Sequence, residues 1–70
     1  MEHQAVQSRD IAIIGYEAAE ELLEVAFRSG HVYRYYEVPA EIHRAFLDAA
    51  SHGLFFREKI REVFRHEKIR

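Results

Sequence analysis

Tyr33-Arg34-Tyr35-Tyr36 places three aromatic rings and a guanidinium in four consecutive positions. Rings with a cation among them are how several open β-sheets hold unpaired bases, by stacking and by neutralising phosphate. A second cationic group follows. Arg57, Arg61, Arg65 and Lys68 recur at steps of four, four and three, a spacing that sets side chains on one face of a helix. Such a row either contacts a phosphate backbone or stands as a solvated face offset by Glu58, Glu62 and Glu67. The other constellations carry less chemistry. The five histidines, His3, His31, His43, His52 and His66, have no His-x-x-x-His spacing and no cysteine beside them, so no metal site is expected. Ser51-His52 reads better as a turn and helix cap than as a nucleophile and base, because no positioned carboxylate or oxyanion site accompanies it. Glu20 and Glu21 fall in an expected exposed turn. There is no glycine-rich phosphate loop. We therefore expect no enzyme activity, no cofactor and no small-molecule substrate.

The elements that must position these groups belong to one small domain, residues 1–70, with a core over about 8–65. A chain of this size buries only about 60% of the surface its unfolded form exposes. With no cysteine, no disulfide adds to that margin. The composition, 49% hydrophobic and 31% charged, is that of a folded globule. The longest apolar run, residues 11–14, is far too short to span a membrane. The polar start, Met1-Glu2-His3-Gln4, does not resemble a secretory signal, so the cytoplasm is the expected location. The net charge of −2 is unevenly spread: −4 over residues 1–30, −1 over 31–56 and +3 over 57–70.

In chain order, residues 1–8 read as a frayed or loosely paired lead-in. Residues 10–16 are rich in β-branched side chains and form a strand, with Gly15 marking a bulge or a close backbone approach. Residues 17–20 favour helix by propensity but make a tight turn between two strands. Leu23, Val25 and Phe27 alternate with Glu24, Ala26 and Arg28, the period of a half-buried strand. Two hairpin registers then compete. A two-residue Ser29-Gly30 loop pairs Phe27 with Val32 and puts Arg34 on the apolar face. A three-residue loop with left-handed Gly30 pairs Phe27 with His31, Val25 with Tyr33 and Leu23 with Tyr35. The second gathers the large apolar groups on one side and is the one expected. Tyr33 and Tyr35 are then core, while Val32, Arg34 and Tyr36 take the other face. Pro39 ends the sheet and begins a helix whose apolar stripe is Ile42, Ala45, Phe46 and Ala49. Gly53 suits a left-handed cap. A second helix is expected from about 54 to 64, with Phe56, Ile60, Val63 and Phe64 inward, and residues 66–70 docked loosely. The fold class is α+β: a three-stranded antiparallel β-meander followed by two α-helices packed on one face, β-β-β-α-α. Phe46 and Phe56 are the expected centre of the core.

The order of these residues resembles the KTSC domain. The resemblance covers about residues 8–69. It runs from Ile11 to Gly15-Tyr16, through Leu23-x-Val25-x-Phe27-x-x-Gly30, Tyr33-x-Tyr35 and Val38-Pro39, to Ala50-Ser51-x-Gly53 and Phe55-Phe56 with Ile60-Arg61. The chain departs from the family pattern at Phe55-Phe56-Arg57, where tyrosine-phenylalanine-asparagine is usual, and at Phe64, where tyrosine is usual. KTSC domains occur as small bacterial and phage proteins and as a C-terminal piece of some lysyl-tRNA synthetases. The resemblance thus implies a non-catalytic, tRNA-related RNA-binding module. Arg57, Arg61, Arg65 and Lys68 would meet the backbone, and Arg34 and Tyr36 the bases. The alternative is a module that docks on a protein partner or on itself through the uncovered sheet face, where Ala26, Val32 and Tyr36 lie.

Overall fold

The computed structural model describes all residues, 1–70. The chain runs β1 (Glu2–Ala5), β2 (Ile11–Glu17), β3 (Leu22–Phe27), β4 (Val32–Tyr35), α1 (Ala40–Asp48), α2 (His52–Lys59) and β5 (His66–Lys68). All neighbouring strands are antiparallel, and the sheet order is β1-β2-β3-β4-β5. The α+β class and the two helices match the sequence reading. The strand count does not: the sheet has five strands rather than three. Both additional strands are edges, in the stretches expected to be loose. Every residue of β1 and β5 is exposed. They are held by backbone pairing, which leaves no alternating apolar pattern in the sequence.

The β3–β4 hairpin has the expected register. Leu23 pairs with Tyr35 and Val25 with Tyr33, and the Phe27 amide donates to the His31 carbonyl. Gly30 has φ +102°, a conformation that a side chain resists. Residues 18–21 form the expected turn between β2 and β3. The bulge in β2 lies between Ile11 and Ile13 and not at Gly15. It resolves a parity conflict. Ile11 and Ile14 are both fully buried, yet an odd separation would place them on opposite faces of a regular strand. The extra residue lets both face the helices and sends Ile13 to the other side. Gly15 is instead a close-approach position: a Cβ there would sit 2.8 Å from the His3 ring.

Pro39 is the N-cap of α1, and Ser51 is the N-cap of α2, its Oγ accepting from the Leu54 amide at 3.2 Å. Gly53 lies inside α2 and makes no left-handed cap. The His52 ring meets the Phe46 carbonyl at 2.9 Å, tying the two helices at their junction. α2 ends at Lys59, with Ile60 at φ −124°, so it is shorter than the spacing predicts. Ile60 is still buried, but Val63 is 62% exposed rather than inward. Ala45, in the expected stripe of α1, is also exposed.

Both helices cover one sheet face. The core joins Ile11, Ile14, Tyr16, Leu23, Val25 and Tyr35 from the sheet with Val38, Phe46, Phe56 and Ile60. Phe46 is fully buried and stacks on Phe55 at 5.5 Å and on Phe56 at 6.4 Å. The Tyr16 hydroxyl donates to the Val38 carbonyl at 2.6 Å, fixing the chain as it leaves the sheet. Its ring stacks on His43 of α1 at 4.3 Å. No helix is long and apolar enough to cross a membrane. Phe46→Ala should cost about 3–5 kcal/mol in chemical denaturation. Burial lowers the pKa of the His43 ring below its ordinary value, aided by Arg44 and opposed by Glu2. A depressed histidine contributes stability above its unfolded pKa, and that contribution is lost as pH falls. Thermal unfolding followed from pH 7 to 5 should therefore show a smaller loss in His43→Gln than in the unsubstituted chain.

Candidate nucleic-acid interface

The residues singled out by sequence separate onto two sides of the sheet. Arg34 and Tyr36 project from the face opposite the helices. Arg34 donates from Nε and Nη2 to Glu24 Oε2 at 2.9 and 2.7 Å across the β3–β4 pair. The hydrogen bond to Glu24 holds its pKa above the ordinary arginine value. The Tyr36 hydroxyl donates to Glu67 Oε1, and Arg65 Cζ lies 4.3 Å from its ring centroid. Glu67 is the β5 residue opposite Arg34. Arg34, Tyr36 and Arg65 thus already have acidic or aromatic partners.

The expected single row of Arg57, Arg61, Arg65 and Lys68 is broken because α2 stops at Lys59. Arg57 is on the helix, Arg61 follows in the turn beyond it, Arg65 crosses to Tyr36, and Lys68 sits on edge strand β5 beside Tyr33. Arg57 and Arg61 nevertheless come together in a groove of about 620 Å³ on the helix-covered side. It opens between the β3–β4 hairpin and α2. Phe27, Tyr33, Tyr35 and Phe56 line it, with Arg9, Arg28 and His31 at the strand side and His66 at the edge. Phe27 meets Tyr33 edge-on at 6.0 Å, and Tyr35 meets Phe56 edge-on at 5.6 Å. The His66 ring centroid is 5.2 Å from that of Tyr35.

Four arginines and two carboxylates, Asp10 and Glu62, line the groove, a formal excess of two positive charges. Arg28 is committed to the fold: its Nε donates to the Ser8 carbonyl at 2.7 Å and its Nη2 to the Val6 carbonyl at 3.0 Å. Arg61 Nε approaches Glu62 at only 3.7 Å, with both side chains well exposed, so that pairing is weak. Arg9 and Arg57 make no ion pair, and Arg61 only this weak one. Burial pushes the Tyr35 hydroxyl up to about 12, with Tyr33 adding to the shift.

Sequence reasoning missed Arg9, His31 and His66 as groove residues. Arg9 has no local signal, since the linker and bulge before Ile13 bring it here. His31 and His66 reach the groove only through the hairpin and the β4–β5 pairing, which no local spacing records.

The KTSC domain model matches residues 7–64. This chain belongs to the KTSC domain family. A KTSC domain protein from Yersinia pestis has a crystal structure that superposes with a TM-score of 0.92 at 38% identity, covering 99% of this chain and 97% of that one. An uncharacterized protein from Stutzerimonas stutzeri is 41% identical over 58 residues, 83% of this chain and 82% of its own length. A protein from Tsukamurella paurometabola is 40% identical over 62 residues, 89% of this chain and 92% of its own. In this KTSC domain, the family-resembling Tyr33-x-Tyr35 pair lies in the wall of the groove.

The Tyr35 shift gives an alkaline test. A hydroxyl whose folded pKa is raised contributes fully below about 10, its unfolded value, and loses that contribution as pH rises towards 12. Unfolding free energy measured from pH 9 to 11.5 should fall less steeply in Tyr35→Phe than in the unsubstituted domain.

Proposed function

We propose that this KTSC domain is a small non-catalytic RNA-binding module whose contact surface is the groove beside α2. One observation carries the reading: Arg9, Arg57 and Arg61 rim a cleft whose walls are aromatic and which holds a net positive charge within an acidic chain. Phosphates favour the arginines, and bases favour the rings. The synthetase fusions of the family point the same way, towards tRNA. Arg34 and Tyr36 are less suited to base contact, because Glu24 and Glu67 occupy their polar groups.

A second reading rests on the opposite sheet face. Ala5, Ile13, Ala26 and Val32 follow one another in register across four strands, and the Ile69 amide donates to the Val32 carbonyl at 2.7 Å. Ile13 is 39% and Ile69 43% exposed, an apolar row suited to a protein partner or a second copy. Val32 itself is buried, so the row is narrower than the sequence predicts.

Filter binding of mixed tRNA at 50 and 200 mM salt tests the first reading. Affinity should fall steeply with salt, and Arg57→Ala with Arg61→Ala should weaken binding and flatten the salt slope. An unchanged affinity in the double variant, or no binding at 50 mM salt, would contradict it. For the second, sedimentation should show association that Ile13→Lys abolishes. A monomer at all concentrations would count against self-association.

A further inference from the structure

The two properties of the groove select different ligands when taken singly. The rings along its accessible edge, Tyr33 and His66, offer an aromatic surface that suits a cation or a planar ring. Arg57 and Arg61 at its mouth repel such a cation. They attract an anion, yet a bare anion gains little from aromatic walls. A ligand that uses both carries a planar ring joined to a phosphate. Size limits it further. About 620 Å³ lies in the range of small-molecule clefts, roughly 300–1,000 Å³, and does not admit a duplex, whose bases are stacked inside the helix.

We infer that the groove receives a single unpaired nucleotide, its base against Tyr33 and His66 and its phosphate at Arg57 and Arg61. Tyr33 is the ring fitted to this role. It is half-buried, whereas Tyr35 is only 2% exposed and Phe56 8%. His66 lies 6.2 Å from the Tyr33 ring and is exposed, so the two rings bound an accessible edge of the groove. The phosphate subsite lies on the α2 side, where Arg57 is exposed in the last turn of the helix. The inference rests on the reading of the groove as the RNA site and adds which part of an RNA enters it: an unpaired position, such as a loop or an end.

The test uses the full chain, labelled for amide NMR, with uridine 5′-monophosphate, adenosine 5′-monophosphate and inorganic phosphate as probes. Both nucleotides should shift the amides of Tyr33, Phe56, Arg57 and His66, while inorganic phosphate should leave Tyr33 unmoved. In competition against bound tRNA, single-stranded oligouridylate should be at least about tenfold more effective than a blunt RNA duplex of equal length. Tyr33→Leu, which keeps apolar bulk without a ring, should weaken the single strand by about tenfold, and Tyr33→Phe should retain it. Equal shifts from phosphate and nucleotides, equal competition by duplex, or full binding by Tyr33→Leu would overturn the inference. Those results leave the RNA reading standing if tRNA still binds through Arg57 and Arg61. Nucleotide binding in a chain that ignores tRNA at low salt would uphold the pocket and remove the RNA reading.

Discussion

The left-handed turn at Gly30 fixes the side on which this molecule is built. With φ at +102° it closes a three-residue loop, and the next pairs are Val25 with Tyr33 and Leu23 with Tyr35. A slip of one residue would send both tyrosines to the open face and bring Arg34 under the helices. Every later feature of the core assumes this register. Tyr35 receives Phe56, Phe27 receives both Tyr33 and Phe56, and Phe46 packs behind them. The β2 bulge is the matching adjustment in the next strand, since it keeps Ile11 opposite Phe27 while Ile14 stays opposite Val25.

The same register divides the charged residues. On the open face Glu24, Arg34 and Glu67 form a cross-strand row of alternating sign, with Tyr36 and Arg65 joined at its end. Opposite charges directly across strands attract one another, and solvent screens much of that attraction at an exposed site such as this. Their mutual pairing leaves little attraction for a distant ligand. On the helix side the arginines at 9, 57 and 61 lack partners of comparable quality, although Asp10 and Glu62 line the same groove. A small chain with net charge −2 thereby has one cleft whose lining carries a formal excess of positive charge.

Local periodicity carried much of this architecture in the sequence. The alternation Leu23, Val25, Phe27 and the glycine at 30 define the hairpin, and Phe46 and Phe56 define the centre of the helical layer. Strands β1 and β5 escaped detection for a physical reason: Glu2-His3-Gln4-Ala5 and His66-Glu67-Lys68 bury no side chains, so pairing is their sole signature. The end of α2 misled in the opposite way. Ile60, Val63 and Phe64 continue a helical spacing, but after Ile60 the chain must turn back to place β5 beside β4. The site was legible in fragments. Arg57 and Arg61 were visible as a helical step, whereas Arg9 and His31 join them only through strand pairing and the hairpin, at separations that no local pattern records.

We propose the groove beside α2, rather than the open sheet face, as the surface that meets RNA. Amide chemical-shift mapping of the labelled domain with tRNA at low salt tests it most directly. Perturbations centred on Tyr33, Phe56, Arg57 and Arg61 are expected, with Ile13, Glu24 and Arg34 unchanged. Perturbations centred on Ile13, Arg34 and Tyr36, with the groove silent, would contradict it.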